Sequence, residues 1–439
     1  MLRQRSQARF QTSFRFAVLA SATMALGAVA GDPESPSVTQ EPTGSLGLAT
    51  ACAAALAGSP TLEGFSWEIR AGEARLLQAG LRPNPTLAVT VEDVLGTGDF
   101  KEGREAQTTV QLSQVIELGG KRTARRGVAS AARDLATRDY EVARVEVLAN
   151  TAEKFIELLA AQRELALSQE TTAMAEAILS TVRQRIRAGN ASPLEEPKAL
   201  VALARRRIDE EHAEHELAVT RRRLAATWGS TTPSFTEAVG NLFALPSLPS
   251  YDALGRRVTG SPEITRWIST ERLRIAELTL AQARRTPNLT AGGGFRRLEG
   301  PDDEAFVFQL SMPLPLFDRK QGDVAEARAR QTRTAAEKRT AEIRLTTVLY
   351  ALHQELLHGQ IALESLRATV VPQAQAALAL SETGFRQGRF SHLDLLDAQR
   401  TLTEVKREQI ETAASSQQLL LSIERLIGQP LHDDSPYQD

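Results

Sequence analysis

Asp394 and Asp397 stand three residues apart in "RQGRFSHLDLLDAQR", just behind a glycine and inside a helical pattern. Residues at i and i+3 share one helix face, so the two carboxylates point the same way. Nothing around them completes a catalytic constellation, and the chain has no nucleotide-binding loop. Acids so placed satisfy backbone donors at a helix start. About two hundred residues earlier, "RIRAGNASPLEEPKA" repeats the order glycine, serine, acid as Gly189, Ser192 and Glu195. In both copies the spacing predicts a capping box. Ser192, Pro193 and Glu195 read as N-cap, N1 and N3 of one helix, and Ser391 with Asp394 reads likewise in the other. A cap accounts fully for Asp394 and Glu195, whose charge also suits a helix N-terminus. It leaves Asp397 unexplained. Gly189 and Gly388 are expected at positive φ, ending the helices that lead into the turns.

Two other groups could do chemistry. His212 and His215, in "EEHAEHE", lie one turn apart as metal ligands can, but a strongly charged helix makes them a solvated face, and no metal site is assigned. His392, at the second tip, is a slightly better candidate for a pH-sensitive contact, against the blander reading of an ordinary structural histidine.

The elements that position these residues are written twice. "RPNPTLAVTVE" is echoed by "TPNLTAGGGF", and "VQLSQVIELGGKR" by "FQLSMPLPLFDRK". Each unit opens with a helix, "GFSWEIRAGEARLLQAG" or "EITRWISTERLRIAELTLAQA". Two stretches of period-two alternation follow, at about 86–92 and 106–116 and again at about 288–298 and 305–313. Leu87, Val89 and Val91 fall on one face, and Val110 and Leu112 alternate with Thr109, Gln111 and Ser113. The linkers "LGTGDFKEGREA" and "RRLEGPDDEA" are polar loops. Such strands suit either a half-wet soluble sheet or a membrane barrel. Four strands cannot close a barrel, whereas three copies of the chain would supply twelve.

A very long helix follows each strand pair. Residues 121–188 hold no proline and repeat apolar residues at three-to-four spacing, about 100 Å of helix. The return helix runs from Pro193 to about Trp228. The second unit matches, with residues 318–385, containing Pro372, and then 392–427. The units divide as 46–228 and 251–428, with the tips at about 187–197 and 386–397. A Pro/Ser-rich linker, 229–250, joins them; a flexible segment, 31–45, and a tail, 429–439, flank them.

Composition agrees with this outline. Only 5% of residues are aromatic in a chain of 439, which favours long helices with thin cores. A net charge of −2 excludes a strongly basic nucleic-acid binder. Residues 1–30 read as an export signal: Arg3, Arg5, Arg9 and Arg15, an apolar run from Phe16 to Val29, and the small-residue pattern Ala28-Val29-Ala30. Cys52, the single cysteine, is separated from that run by a polar stretch, so it reads as a helix residue and not a lipidation site.

At this point the chain resembles the TolC-like outer-membrane efflux proteins. "QAGLRPNPTLAVTVEDVLGTG", "VIELGGKRTARR" and "PLPLFDRKQGDVAEARAR" look like the heavy-metal branch typified by CzcC and CusC. The resemblance covers nearly everything after the signal. It implies a mainly α chain with a membrane β-barrel: a homotrimer with a twelve-stranded barrel in outer-membrane lipid, continued by an α-helical tunnel through the periplasm. It implies that the tips dock a periplasmic adaptor (membrane fusion protein), which leads to an inner-membrane RND transporter. No enzyme activity, cofactor or nucleic acid is expected. Arg187, Gly189, Ser192, Arg386, Gly388 and Ser391 fall where adaptors dock, and Asp394 and Asp397 where the family carries constriction acids. Around a three-fold axis these aspartates would form a ring of six carboxylates that favours cations. The first-unit counterpart, with Glu195 and Glu196 side by side and Pro197 on the return helix, departs from the aspartate pattern common in the family. A duct for drug efflux or type I secretion shares the architecture, and the tip sequence does not separate it from a metal duct. A periplasmic adaptor or coiled-coil scaffold is the competing class, but adaptors carry one helical hairpin and this chain has two.

Overall fold

The computed structural model describes residues 41–431; the export signal read at 1–30 lies outside them. In chain order the first half contains β1 (Gly44–Leu46), α1 (Leu48–Gly58), α2 (Pro60–Ala79), β2 (Thr86–Glu92), β3 (Gln107–Ile116), α3 (Lys121–Arg187) and α4 (Glu195–Ala226). The second half repeats the plan with β4 (Phe235–Ala238), α5 (Tyr251–Val258), α6 (Pro262–Ala283), β5 (Leu289–Leu298), β6 (Asp303–Ser311), α7 (Gln321–Ser365), α8 (Val371–Arg386) and α9 (His392–Ile427). Among the described residues no helix is long and apolar enough to cross a membrane.

The four longer strands form one antiparallel sheet in the order β2-β3-β5-β6, with the junction between the two halves at β3 and β5. Its register sorts side chains by polarity. Leu87 lies opposite Leu112 and Val89 opposite Val110, and the row continues through Phe295 to Phe306 and from Gly293 to Phe308. Directly opposed residues share a face, so all of these project to one side. That side is bare: Phe306 and Phe308 are 85% and 86% exposed. Such a surface belongs against lipid and not water. On the other side Arg296 donates to Thr109 and Gln107. Gln111 on β3 donates to Gln309 on β6 at 2.8 Å, reaching over β5. Gly292 and Gly294 make that crossing possible. A Cβ on Gly292 would lie 2.8 Å from the Gln111 amide nitrogen, and one on Gly294 would lie 2.1 Å from the Val110 carbonyl oxygen.

The 67-residue α3 spans about 100 Å and packs antiparallel on α4. Its counterpart is not one regular helix. A proline in a helix lacks its N–H and its ring meets the carbonyl four residues back. Here a π turn, Leu366–Val370, separates α7 from α8 directly ahead of Pro372 and widens the helix where the proline needs room.

The segment read as flexible and the inter-repeat linker contribute a strand each. β1 begins inside the segment read as flexible, β4 lies in the linker, and the two pair in parallel. They close over a core that includes Phe155, Leu224, Trp228 and Phe235, with the last two rings edge-on at 6.2 Å. Cys52 lies on α1, half-buried, and burial pushes its thiol up to about 11, which keeps it protonated and unreactive. A separate apolar cluster, built from Ile178, Leu179, Val182, Leu203, Leu378, Phe385, Leu395 and Leu402, glues the two hairpins together at their tips.

Candidate functional site

The tips are where the two hairpins meet. At the first, α3 ends as Gly189 takes φ +73° and the Asn190 amide returns to the Arg185 carbonyl at 2.8 Å. At the second, Gly388 takes φ +74° and the Arg389 amide returns to the Gly384 carbonyl, also at 2.8 Å. Both are left-handed helix ends of the Schellman type, where glycine avoids the penalty a Cβ would bring.

The return helices start differently. At the second tip the capping box is complete: Ser391 Oγ accepts from the Asp394 amide at 3.2 Å, while an Asp394 oxygen accepts from the Ser391 amide and hydroxyl at 2.8 and 2.7 Å. These donors, the hydroxyl first, hold the Asp394 carboxyl below the usual carboxylate range. At the first tip the predicted box does not form. α4 begins at Glu195 itself, Leu194 is its N-cap, and Ser192 Oγ accepts only from Leu194, at 3.3 Å. Pro197 is the reason: in a helix begun at Ser192 its ring would press on the carbonyl of Pro193, so the helical ladder starts two residues later. Glu195 is thereby released from capping and turns toward the packed seam, where its Oε2 is buried without a partner.

The structure therefore separates the three acids. Asp394 and Asp397 are exposed along one side of α9, whereas Glu195 is half-buried between hairpins. Arg187, Gly189, Ser192, Arg386, Gly388 and Ser391 are all at the surface. His212 and His215 are exposed on α4, and no cluster of three or more potential metal-ligating residues occurs among the described residues.

Arg185 and Phe385, which meet across the tips, are absent from the residues picked out by sequence. Arg185, in the last turn of α3, donates to the carbonyl of Phe385 on α8 and, at 3.1 Å, to that of Asn190. Its guanidinium also lies 4.3 Å from the centre of the Phe385 ring. The repeat held a signal for this. The two tips superpose Gly189 on Gly388, which places Arg185 where the second unit has Gly384. That glycine is filled instead by the ring of Phe390, which a Cβ would meet at 2.2 Å. A bulky cation standing opposite a buried glycine marks the asymmetry of the pair.

A sheet with one lipid-type face and one polar face, mounted on paired hairpins with charged tips, defines a membrane-seated duct. The chain belongs to the outer membrane efflux protein family, which matches residues 52–230 and again 261–429, one copy per repeat. It lies in the outer membrane and serves as an exit duct for efflux. It is similar to the cobalt-zinc-cadmium resistance protein CzcC of Cupriavidus metallidurans, at 32% identity over 90% of this chain and 92% of that one. The fold is that of the outer membrane protein VceC of Vibrio cholerae, with a TM-score of 0.72 at 18% identity over 88% of this chain and 97% of that one. CusC, whose crystal structures concern conformational changes accompanying folding and transmembrane channel formation, superposes with a TM-score of 0.68 at 16% identity, covering 87% of this chain and 92% of that one.

Proposed function

We propose that three copies of the chain form the outer-membrane exit of a tripartite metal-efflux pump, passing divalent cations from a periplasmic adaptor and an RND transporter to the outside. The two-faced sheet carries this reading. Its edge strands β2 and β6 pair with nothing beyond the sheet among the described residues, and a row of unpaired backbone groups in lipid is too costly to persist. Pairing β2 of one copy with β6 of the next closes a ring of twelve strands and satisfies both edges. The helical hairpins then surround a tunnel, and their tips narrow it.

At that narrowing Asp394 and Asp397 supply the fixed negative charge that draws cations in. Glu195 supports the closed seam behind them. The exposed Arg187, Gly189 and Ser192 of one hairpin, with Arg386, Gly388 and Ser391 of the other, offer the adaptor its docking surface. The metal assignment rests on the similarity to CzcC together with the acids at the tip. The duct does no chemistry of its own.

The test is genetic and biochemical. A strain deleted for the gene is expected to lose tolerance to cobalt, zinc or cadmium and regain it with the wild-type copy, and the detergent-extracted protein should have the mass of a trimer. Unchanged tolerance to all three metals would remove the metal reading, and a monomeric protein released in the soluble periplasmic fraction would remove the duct.

A further inference from the structure

The tip holds a buried pair that neither capping nor the acid ring explains. His392, the first residue of α9, is 5% exposed, and neither ring nitrogen has a hydrogen-bond partner. Its ring packs on Phe385 of α8 with centroids 5.7 Å apart and planes tilted by 46°. Glu195 of α4, the acid released by the failed capping box, offers an equally unpartnered Oε2 in the same seam. A buried polar group left unpaired costs about 1–3 kcal/mol, so two in one seam call for a reason. The corresponding position of the first repeat is Pro193, which cannot titrate.

The charges that act on the imidazole come from each packed element. α3 contributes Arg185, α4 contributes Glu195 and Lys198, and α8 presents the apolar Phe385 ring. On α9 itself Asp394 is occupied by Ser391. We propose that His392 and Glu195 form a proton-responsive latch on the seam between the two hairpins, keeping the tip closed while His392 is neutral and loosening it when His392 is protonated. Both are positioning residues: they set how the hairpins sit and do not touch the transported ion. The inference rests on reading the tip as the narrow end of the duct.

The sign follows from where the proton is welcome. Burial, first, and then the positive Lys198 and Arg185 hold the closed-state imidazole below its ordinary value, while Glu195 opposes them. An opened, solvated tip returns His392 to about 6.5. The open state therefore binds more protons in the window below that value, and acidification favours it. The latch is at full strength above the ordinary imidazole range and weakens as pH falls through it.

The experiment uses the full chain in planar lipid bilayers, with open probability and the potassium-to-chloride permeability ratio recorded between pH 7.5 and 5. Wild-type channels should open several-fold more often at the acid end, with the rise centred in or below the ordinary imidazole range. His392→Leu should flatten that response. Glu195→Gln, which removes the carboxylate that favours the proton, should move the rise to lower pH. A flat wild-type profile, a His392→Leu profile like wild type, or an unshifted Glu195→Gln midpoint would each overturn the latch. If His392→Leu does not assemble, Glu195→Gln decides. The permeability ratio keeps the two readings apart: a cation preference that depends on Asp397, with no pH response, leaves the duct standing and removes the latch.

Discussion

Gly294→Ala is expected to prevent the sheet from forming, with the folded, membrane-extractable protein falling at least about tenfold. The added Cβ would sit 2.1 Å from the Val110 carbonyl oxygen and 2.8 Å from Gln111 Cα, both main-chain atoms of the paired strand β3. A side chain can rotate away from such a clash, but a strand can yield only by breaking its ladder. Overpacking commonly costs 1–3 kcal/mol, and here the cost falls on the pairing within the four-stranded sheet that joins the two repeats. The neighbouring Gly293→Ala is the internal control. Its Cβ would point to the apolar face, where the nearest atom, on the Phe308 ring, is 3.6 Å away. It should assemble normally. Detergent extraction and gel migration with and without heating report the outcome; a Gly294→Ala protein that assembles as well as Gly293→Ala would show that the close approach at β3 and β5 is dispensable.

Arg185→Ala is expected to release the tip while leaving the rest of the chain folded. One guanidinium spans the seam, donating to carbonyls at the ends of both outgoing helices and covering the Phe385 ring. A hydrogen bond from a charged donor contributes about 1.5–3 kcal/mol, so losing the link should shift the balance between closed and open tips by roughly thirty-fold for about 2 kcal/mol. Bilayer conductance at neutral pH should rise accordingly, and amide hydrogen exchange should quicken at residues 384–392 while α3 residues 150–170 stay protected. Unchanged exchange and conductance would show that the apolar cluster alone holds the tips. Arg185→Lys should rescue only in part, because an ammonium lacks the planar fork that reaches two carbonyls at once.

Much of this was legible in the sequence because its signals are periodic and doubled. Alternation in Val110–Ser113, the proline-free run of α3 and the echo of Gly189 by Gly388 each express a local rule, and the alternation and the glycine turn recur in the second repeat, whose long run instead carries Pro372. What escaped depends on contacts between distant segments. The capping motif at Ser192 is locally as good as that at Ser391, but Pro197, two residues beyond Glu195, excludes the helix start it needs. β1 and β4 are too short to announce themselves and exist because each is the other's partner across nearly two hundred residues. The π turn before Pro372 is a compromise between a long buried helix and a residue that cannot complete it. Arg185 reads as one more arginine in "RQRIR" until the tertiary fold places it over Phe385. The site residues split in the same way: the glycines and Asp394 follow from turn and cap chemistry, whereas Arg185 and the burial of His392 required the second hairpin to be in place.

Asp397 carries the central claim, since Asp394 has a cap to maintain and Asp397 has none. The most direct measurement is the potassium-to-chloride permeability ratio of full-length wild-type and Asp397→Asn channels in planar bilayers, with a multivalent cation then added on the tip side. The wild-type channel should prefer cations and be blocked by the multivalent one, and in the variant both properties should fall several-fold while conductance persists. A variant with the wild-type ratio and the wild-type block would contradict the claim.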